Sequence, residues 1–293
     1  MSILTEEAKS NTAIILIPGS FTPPEFYAKV SRQLITDGFE HVHQCQLLSA
    51  CPKHDQKSRP AKIEDDALYI REVISACLTQ GKDIVLVMNS YGGLPGTEAI
   101  KDLPSRSSLA AEMVTDVRKG AVVGMIYLSS FLPFPGDSLR GMMGDSLFEP
   151  LKSGTPGGYM DLPGESGPGI FSDLAAEGKE DEVQCWFQKM VTHSSDSFDG
   201  KVTHDLWKEG AFDGKVMYIV GENDMVVSPD LADEMIEKVW KTAGMEKLMV
   251  KRIEKGGHCM HVTRPDVVAG AIEGLLSDLE RGPNTTFKTQ EAW

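Results

Sequence analysis

Short, unbroken apolar runs alternate along the chain with longer stretches in which apolar residues recur every three or four positions. Continuous runs suit strands covered on both faces, and the longer period suits helices with one buried stripe. The alternation therefore predicts a parallel sheet between helical layers. Six strands are expected, at 13–17 (AIILI), 41–48, 84–88 (IVLVM), 121–128, 215–220 and 248–253. Pro23 and Pro24 stand where a first helical turn tolerates proline, and open a helix to about residue 36. Ile63, Ala67, Ile70, Ile74 and Cys77 form one stripe of a helix that stops at Gly81. Further helices are expected near Arg118, over 229–243 and over 265–279.

Between about residues 131 and 210 the pattern changes. Gly and Pro recur without strand alternation, which predicts an insertion forming a lid. The chain then divides into a first core part (1–130), the lid (131–210), a second core part (211–281) and a polar tail (282–293).

Composition narrows the class of partner. Lys and Arg number 29 against 43 Asp and Glu, a net charge of −14, with no basic cluster longer than a pair. Nucleic acid and anionic membranes are disfavoured as partners. No apolar run approaches the roughly 18 residues that span a bilayer. The start, MSILTEEAKSNT, lacks a secretory pattern, and the five cysteines are odd in number and scattered. A cytoplasmic protein with reduced thiols and a small-molecule ligand is expected, and a homodimer is compatible with this reading. Cys51/His54 and Cys259/His261 each lack the second pair of a closed zinc site, so no metal is expected.

The strand at 84–88 runs into Asn89-Ser90-Tyr91-Gly92-Gly93, a tight strand-to-helix turn of the form x-x-Ser-x-Gly that projects a serine hydroxyl above the sheet edge. A serine needs a base to take its proton and a further group to hold that base. Asp224 and His258 follow the ends of the next two strands, giving the chain order Ser, acid, His. Asp137, Glu222 and Asp230 are rival acids and His261 a rival base. An oxyanion hole would use the N–H of Tyr91 and that of Ser20 in the turn after the first strand. Phe21, Asn89, Phe131, Met142 and His261 are candidates to line the substrate pocket.

Together Pro18-Gly19-Ser20, Asn89-Ser90-Tyr91-Gly92-Gly93, Ser129-Ser130-Phe131-Leu132-Pro133, Gly221-Glu222-Asn223-Asp224 and Gly257-His258 resemble the α/β-hydrolase superfamily, over about residues 12–281. Within it the late start and the SSFLP segment resemble the branch of plant methylesterases and hydroxynitrile lyases. Met88 stands where that family usually has glycine, Pro18 where it often has His, and Asn89 where His is common. The resemblance implies an α/β-hydrolase-like six-stranded parallel sheet with helices on both faces and an inserted lid.

The function expected is a serine hydrolase with a Ser90–His258–Asp224 triad. Its substrate would be a small, mainly apolar ester, thioester or lactone, and it would need no metal or organic cofactor. Two alternatives stand beside it. One is non-hydrolytic lyase or cyclase work in small-molecule secondary metabolism at the same site. The other is a non-catalytic small-molecule receptor.

Overall fold

The computed structural model describes residues 4–103, 120–144 and 157–280. The helix expected near Arg118 and the tail from residue 282 lie outside these. A six-stranded, wholly parallel sheet forms the centre of the molecule: β1 (Thr12–Ile17), β2 (His41–Gln44), β4 (Asp83–Ser90), β5 (Val122–Ser130), β8 (Lys215–Gly221) and β9 (Met249–Ile253), in the order β2-β1-β4-β5-β8-β9. This is an α/β-hydrolase fold.

The continuous apolar runs are explained by burial on both faces. Ile15, Ile17, Leu86 and Met88 belong to one core cluster, while Ile14, Leu16, Val85 and Val87 belong to the other. The first layer includes the helix Ile63–Thr79, whose predicted stripe is buried throughout. The helix Pro265–Glu280 covers the opposite face with Val268, Ile272 and Leu275. Because β1, β4, β5 and β8 lie inside the sheet, all their backbone ladders are paired on both sides. Their carboxyl ends are thereby held in a firm row, and the connections that leave them carry the candidate site.

Two expectations need correction. The strand expected over 41–48 ends at Gln44, after which the chain leaves the main sheet and forms β3 (Ala50–Cys51) in a second one. The segment from Phe131 onward, expected to lack strands, contributes β6 (Tyr159–Met160) and β7 (Thr192–Ser194) to that second, antiparallel sheet, of order β3-β7-β6. Strands of two or three residues are too short to display a period of two. Its other described residues include a series of short helices, such as Leu139–Met143, Ser172–Ala176 and Glu180–Phe187.

Candidate active site

Ser90 is the last residue of β4 and has φ 50, in the left-handed region that a residue with a Cβ adopts at a cost. Several contacts impose this conformation. The register between β4 and β5 slips beside it, so that Asn89 pairs with Leu128 but Ser90 with Ser130. Ser129, the residue skipped, takes φ 44. Ser130 Oγ donates to the Ser90 carbonyl at 2.6 Å, and Tyr218 Oη donates to the Ser130 carbonyl at 2.6 Å. The SSF segment thus buttresses the turn from the neighbouring strand.

The helix Gly93–Ala99 starts immediately behind Ser90. A Cβ at Gly92 would stand 2.6 Å from the Pro18 carbonyl oxygen, and one at Gly93 would stand 2.6 Å from that of Phe131. Only glycine permits so close an approach at these two positions. Met88, in place of the usual glycine, is fully buried and runs beneath this helix, where a Cβ on Gly96 would collide with its Sδ. The bulk gained at one position is accommodated by its absence at the other.

Asp224 and His258 are brought together by their loops. Past β8, Glu222 N–H donates to the Ile253 carbonyl and Asn223 N–H to that of Gly256. A Cβ on Gly221 would lie 2.6 Å from Gly256 O. Asp224 is buried, and its Oδ1 accepts the N–H groups of Val226 at 2.8 Å and Val227 at 3.0 Å. Its other oxygen, Oδ2, lies 2.9 Å from His258 Nδ1. A carboxylate so placed selects the Nδ1–H tautomer and leaves Nε2 as the ring nitrogen available for exchange with a ligand. Two of the three rival acids are engaged elsewhere, Glu222 with Arg252 and Asp137 with Phe134 N–H and Lys238.

Ser90 and His258 line one cavity with about 580 Å³ of space, part of it open to solvent. Gly19, Ser20 and Thr22 from the turn after β1 line it too. Gly19 lets that turn approach the serine, since a Cβ there would come within 2.9 Å of both Ser90 Cβ and Asn89 Oδ1. Apart from Asn89, the rest of the described wall is apolar and includes Leu139, Met143, Leu162, Ile170, Met190 and Phe198 from the connection between β5 and β8. No Asp, Glu, Lys or Arg is among the described lining residues.

Of the residues proposed from sequence for the pocket wall, Phe21, Asn89 and Phe131 line the cavity. Met142 does not: it is partly buried against the main core, and its neighbour Met143 takes the wall position. The two differ by one step, about 100°, around a helix of only five residues, Leu139–Met143, too short for its inward face to be read from periodicity. His261 is also absent from the wall. It is fully buried, stacked on Tyr27 at 4.5 Å between ring centroids, with no hydrogen-bond partner for either nitrogen among the described residues. Burial, with the nearby His258, pushes its pKa down to about 3, so it is neutral.

Three polar residues have roles not anticipated from sequence, where Asn89 was proposed only for the pocket wall and the other two not at all. Asn89 Nδ2 donates to the carbonyls of Leu128 at 3.0 Å and His258 at 3.1 Å, tying β4, β5 and the histidine loop together. Asp66, on the buried face of its helix, accepts from Tyr91 Oη at 2.8 Å and from Ser49 Oγ at 2.5 Å. Its carboxyl pKa is pushed up to about 6 because burial outweighs those hydrogen bonds. The only sequence signal was its place beside Ile63 and Ile70 on an otherwise apolar stripe. His193, in β7, is the third.

Among the described residues no three His, Cys, Asp or Glu side chains gather as a metal would require, and no helix is long and apolar enough to cross a membrane.

An elbow serine at the carboxyl end of an inner parallel strand, sharing a cavity with a histidine hydrogen-bonded to a carboxylate, is the arrangement of α/β hydrolases. Residues 14–271 match the model of the alpha/beta hydrolase family, and the chain belongs to that family. Probable hydrolase R7 of a Phoma species is 29% identical to it over 264 residues, covering 88% of this chain and 96% of that protein. Alpha/beta hydrolase nvfD of Aspergillus novofumigatus is 25% identical over 276 residues, covering 91% and 97% respectively. Among solved structures, polyneuridine aldehyde esterase superposes with a TM-score of 0.66 at 16% identity, over 92% of this chain and all of that one.

Proposed function

We propose that this α/β hydrolase is a serine esterase, thioesterase or lactonase for a small, mainly apolar substrate. One observation carries the reading: the strained Ser90 faces the same apolar cavity as His258, whose other ring nitrogen is held by buried Asp224. Ser90 Oγ attacks the acyl carbonyl as His258 Nε2 takes its proton. The N–H groups of Ser20 and Tyr91 receive the developing oxyanion, and Asp224 stabilises the imidazolium. His258 then returns the proton to the leaving group, and water repeats the sequence to release the acid. Each oxyanion donor contributes about 3–4 kcal/mol to lowering such a barrier.

The lack of charged side chains among the described residues of the wall supports a neutral, apolar acyl group, since a carboxylate or ammonium placed there would be desolvated without a partner. The 131–210 segment, which supplies much of that wall, acts as a lid. The relatives named as hydrolases, and the esterase of like fold, agree with this chemistry.

The test is hydrolysis of p-nitrophenyl esters across a range of acyl chain lengths, with Ser90→Ala as control, together with labelling by a fluorophosphonate. Turnover and labelling are expected in the native chain, with a preference for uncharged acyl groups, and both are lost in Ser90→Ala while the fold is kept. Undiminished turnover in that variant would remove the proposal.

A further inference from the structure

A buried histidine outside this constellation touches both segments assigned to the oxyanion. His193 lies in the middle of β7, fully excluded from solvent. Its ring centroid is 4.9 Å from that of Tyr91, edge-on at 78°, and 5.3 Å from that of Phe21. Phe21 follows Ser20 and has φ 62, a left-handed conformation that a bulky residue keeps only where its surroundings enforce it. The enforcement comes from β7 and the residue before it. Phe21 N–H donates to His193 Nδ1 at 3.3 Å, and the Phe21 carbonyl accepts the N–H of Val191 at 2.9 Å. The peptide groups on either side of this strained residue are therefore pinned by two residues of one segment, one of them 172 positions away in sequence.

The hydrogen bonds also define the protonation of the ring. Ser197 Oγ donates its single proton to the Ser194 carbonyl at 2.9 Å, so toward His193 Nε2, 2.9 Å away, it can only accept. Nε2 must carry the hydrogen, and Nδ1, which receives Phe21 N–H, must be bare. Complete burial without a carboxylate partner pushes the imidazole pKa down to about 3, so the acceptor survives over the whole working range of pH.

We infer that His193, as the neutral Nε2–H imidazole, is a positioning residue that holds the turn after β1 so that the Ser20 N–H converges with that of Tyr91 on the oxyanion. This inference rests on the serine-hydrolase reading above and adds to it a part for the segment between β5 and β8. Besides walling the cavity, that segment sets the geometry of the transition-state donor.

Two variants and one spectroscopic measurement test it. His193→Phe keeps an aromatic ring but offers no acceptor, whereas His193→Asn places an amide oxygen near the position of Nδ1. With p-nitrophenyl butyrate as probe, kcat of His193→Phe should fall about 10- to 100-fold with KM changed by less than about threefold, because the loss is felt only where charge develops. The rate of fluorophosphonate labelling should fall in step, and His193→Asn should recover most of both. Nitrogen chemical shifts of the imidazole in the native chain should report a bare Nδ1 and a protonated Nε2. That readout stands even where the phenylalanine variant does not fold.

A His193→Phe enzyme with kcat within about twofold of native, beside an inactive Ser90→Ala, overturns the role of His193 alone. An Nδ1–H tautomer, or an asparagine variant no better than the phenylalanine one at equal thermal stability, does the same. Turnover persisting in Ser90→Ala instead condemns the underlying hydrolase reading.

Discussion

Asn89 shows how much one side chain can decide at this site. Its amide donates both hydrogens to buried backbone carbonyls, of Leu128 on β5 and of His258 itself, while its Oδ1 stands against Gly19 of the turn after β1. The residue at the histidine-rich position of the resembling branch therefore serves here as a three-way brace. Replacing it with Ala leaves two buried acceptors without donors, which is expected to cost about 1–3 kcal/mol in urea unfolding and to lower kcat by loosening the His258 loop. Asn89→Asp should be worse than Asn89→Ala on both counts, since a carboxylate faces two carbonyl oxygens. Equal stability and turnover of the Ala variant and the native chain would show that the brace is dispensable. Ser90 is of the same scale: its conformation is produced by a register slip, a neighbouring hydroxyl and two glycines rather than by any preference of serine.

At the scale of elements, the packing of the helix Gly93–Ala99 onto β4 turns on the pair Met88 and Gly96. Gly96→Ala drives a methyl group into Met88 Sδ and close to Ile17 Cδ1, and overpacking of this kind costs about 1–3 kcal/mol. Met88→Ala removes a fully buried side chain and costs about 2–5 kcal/mol through the cavity it leaves. The double variant should be less destabilised than the sum of the two, because each change relieves the defect of the other. A double-mutant cycle by urea denaturation measures this coupling, and strict additivity would mean that the helix shifts instead of clashing. The same contact explains how the elbow tolerates methionine where the family usually has glycine.

For the whole molecule, the buried Asp66–Tyr91–Ser49 cluster links the first helical layer to the serine turn and makes stability depend on pH. The folded protein holds the Asp66 proton up to about pH 6, against an ordinary value of 3.8. Protonation therefore favours the folded state. This contribution is complete below about pH 3.8 and is lost as pH rises through about 6, an effect on the order of 3 kcal/mol. Asp66→Asn keeps the shape and removes the titration. The stability difference, native minus variant, should thus decline by about that amount between about pH 4 and pH 7 in urea titrations. Parallel curves for the two proteins would show that Asp66 does not titrate in this range.

Much of this molecule is legible in the order of its residues. Each inner strand shows as an apolar run, since burial on both faces requires it; Ser90 and Asp224 stand out because each follows the end of such a run, and His258 because it follows the edge strand β9. A local pattern records which face of an element meets the core, and that information survives in one dimension. The pattern does not record which distant group meets which. Asn89 with His258, Asp66 with Tyr91 and His193 with Phe21 are hydrogen-bonded pairs separated by 169, 25 and 172 positions, and polar pairing has no period from which to read it. The choice of Met143 over Met142 for the cavity wall, and the formation of β6 and β7, likewise depend on segments too short to carry a repeat. The framework and its reactive row follow from hydrophobic order along the chain. The braces that hold the row in place exist only once the folded chain has brought their partners within 3.3 Å of one another.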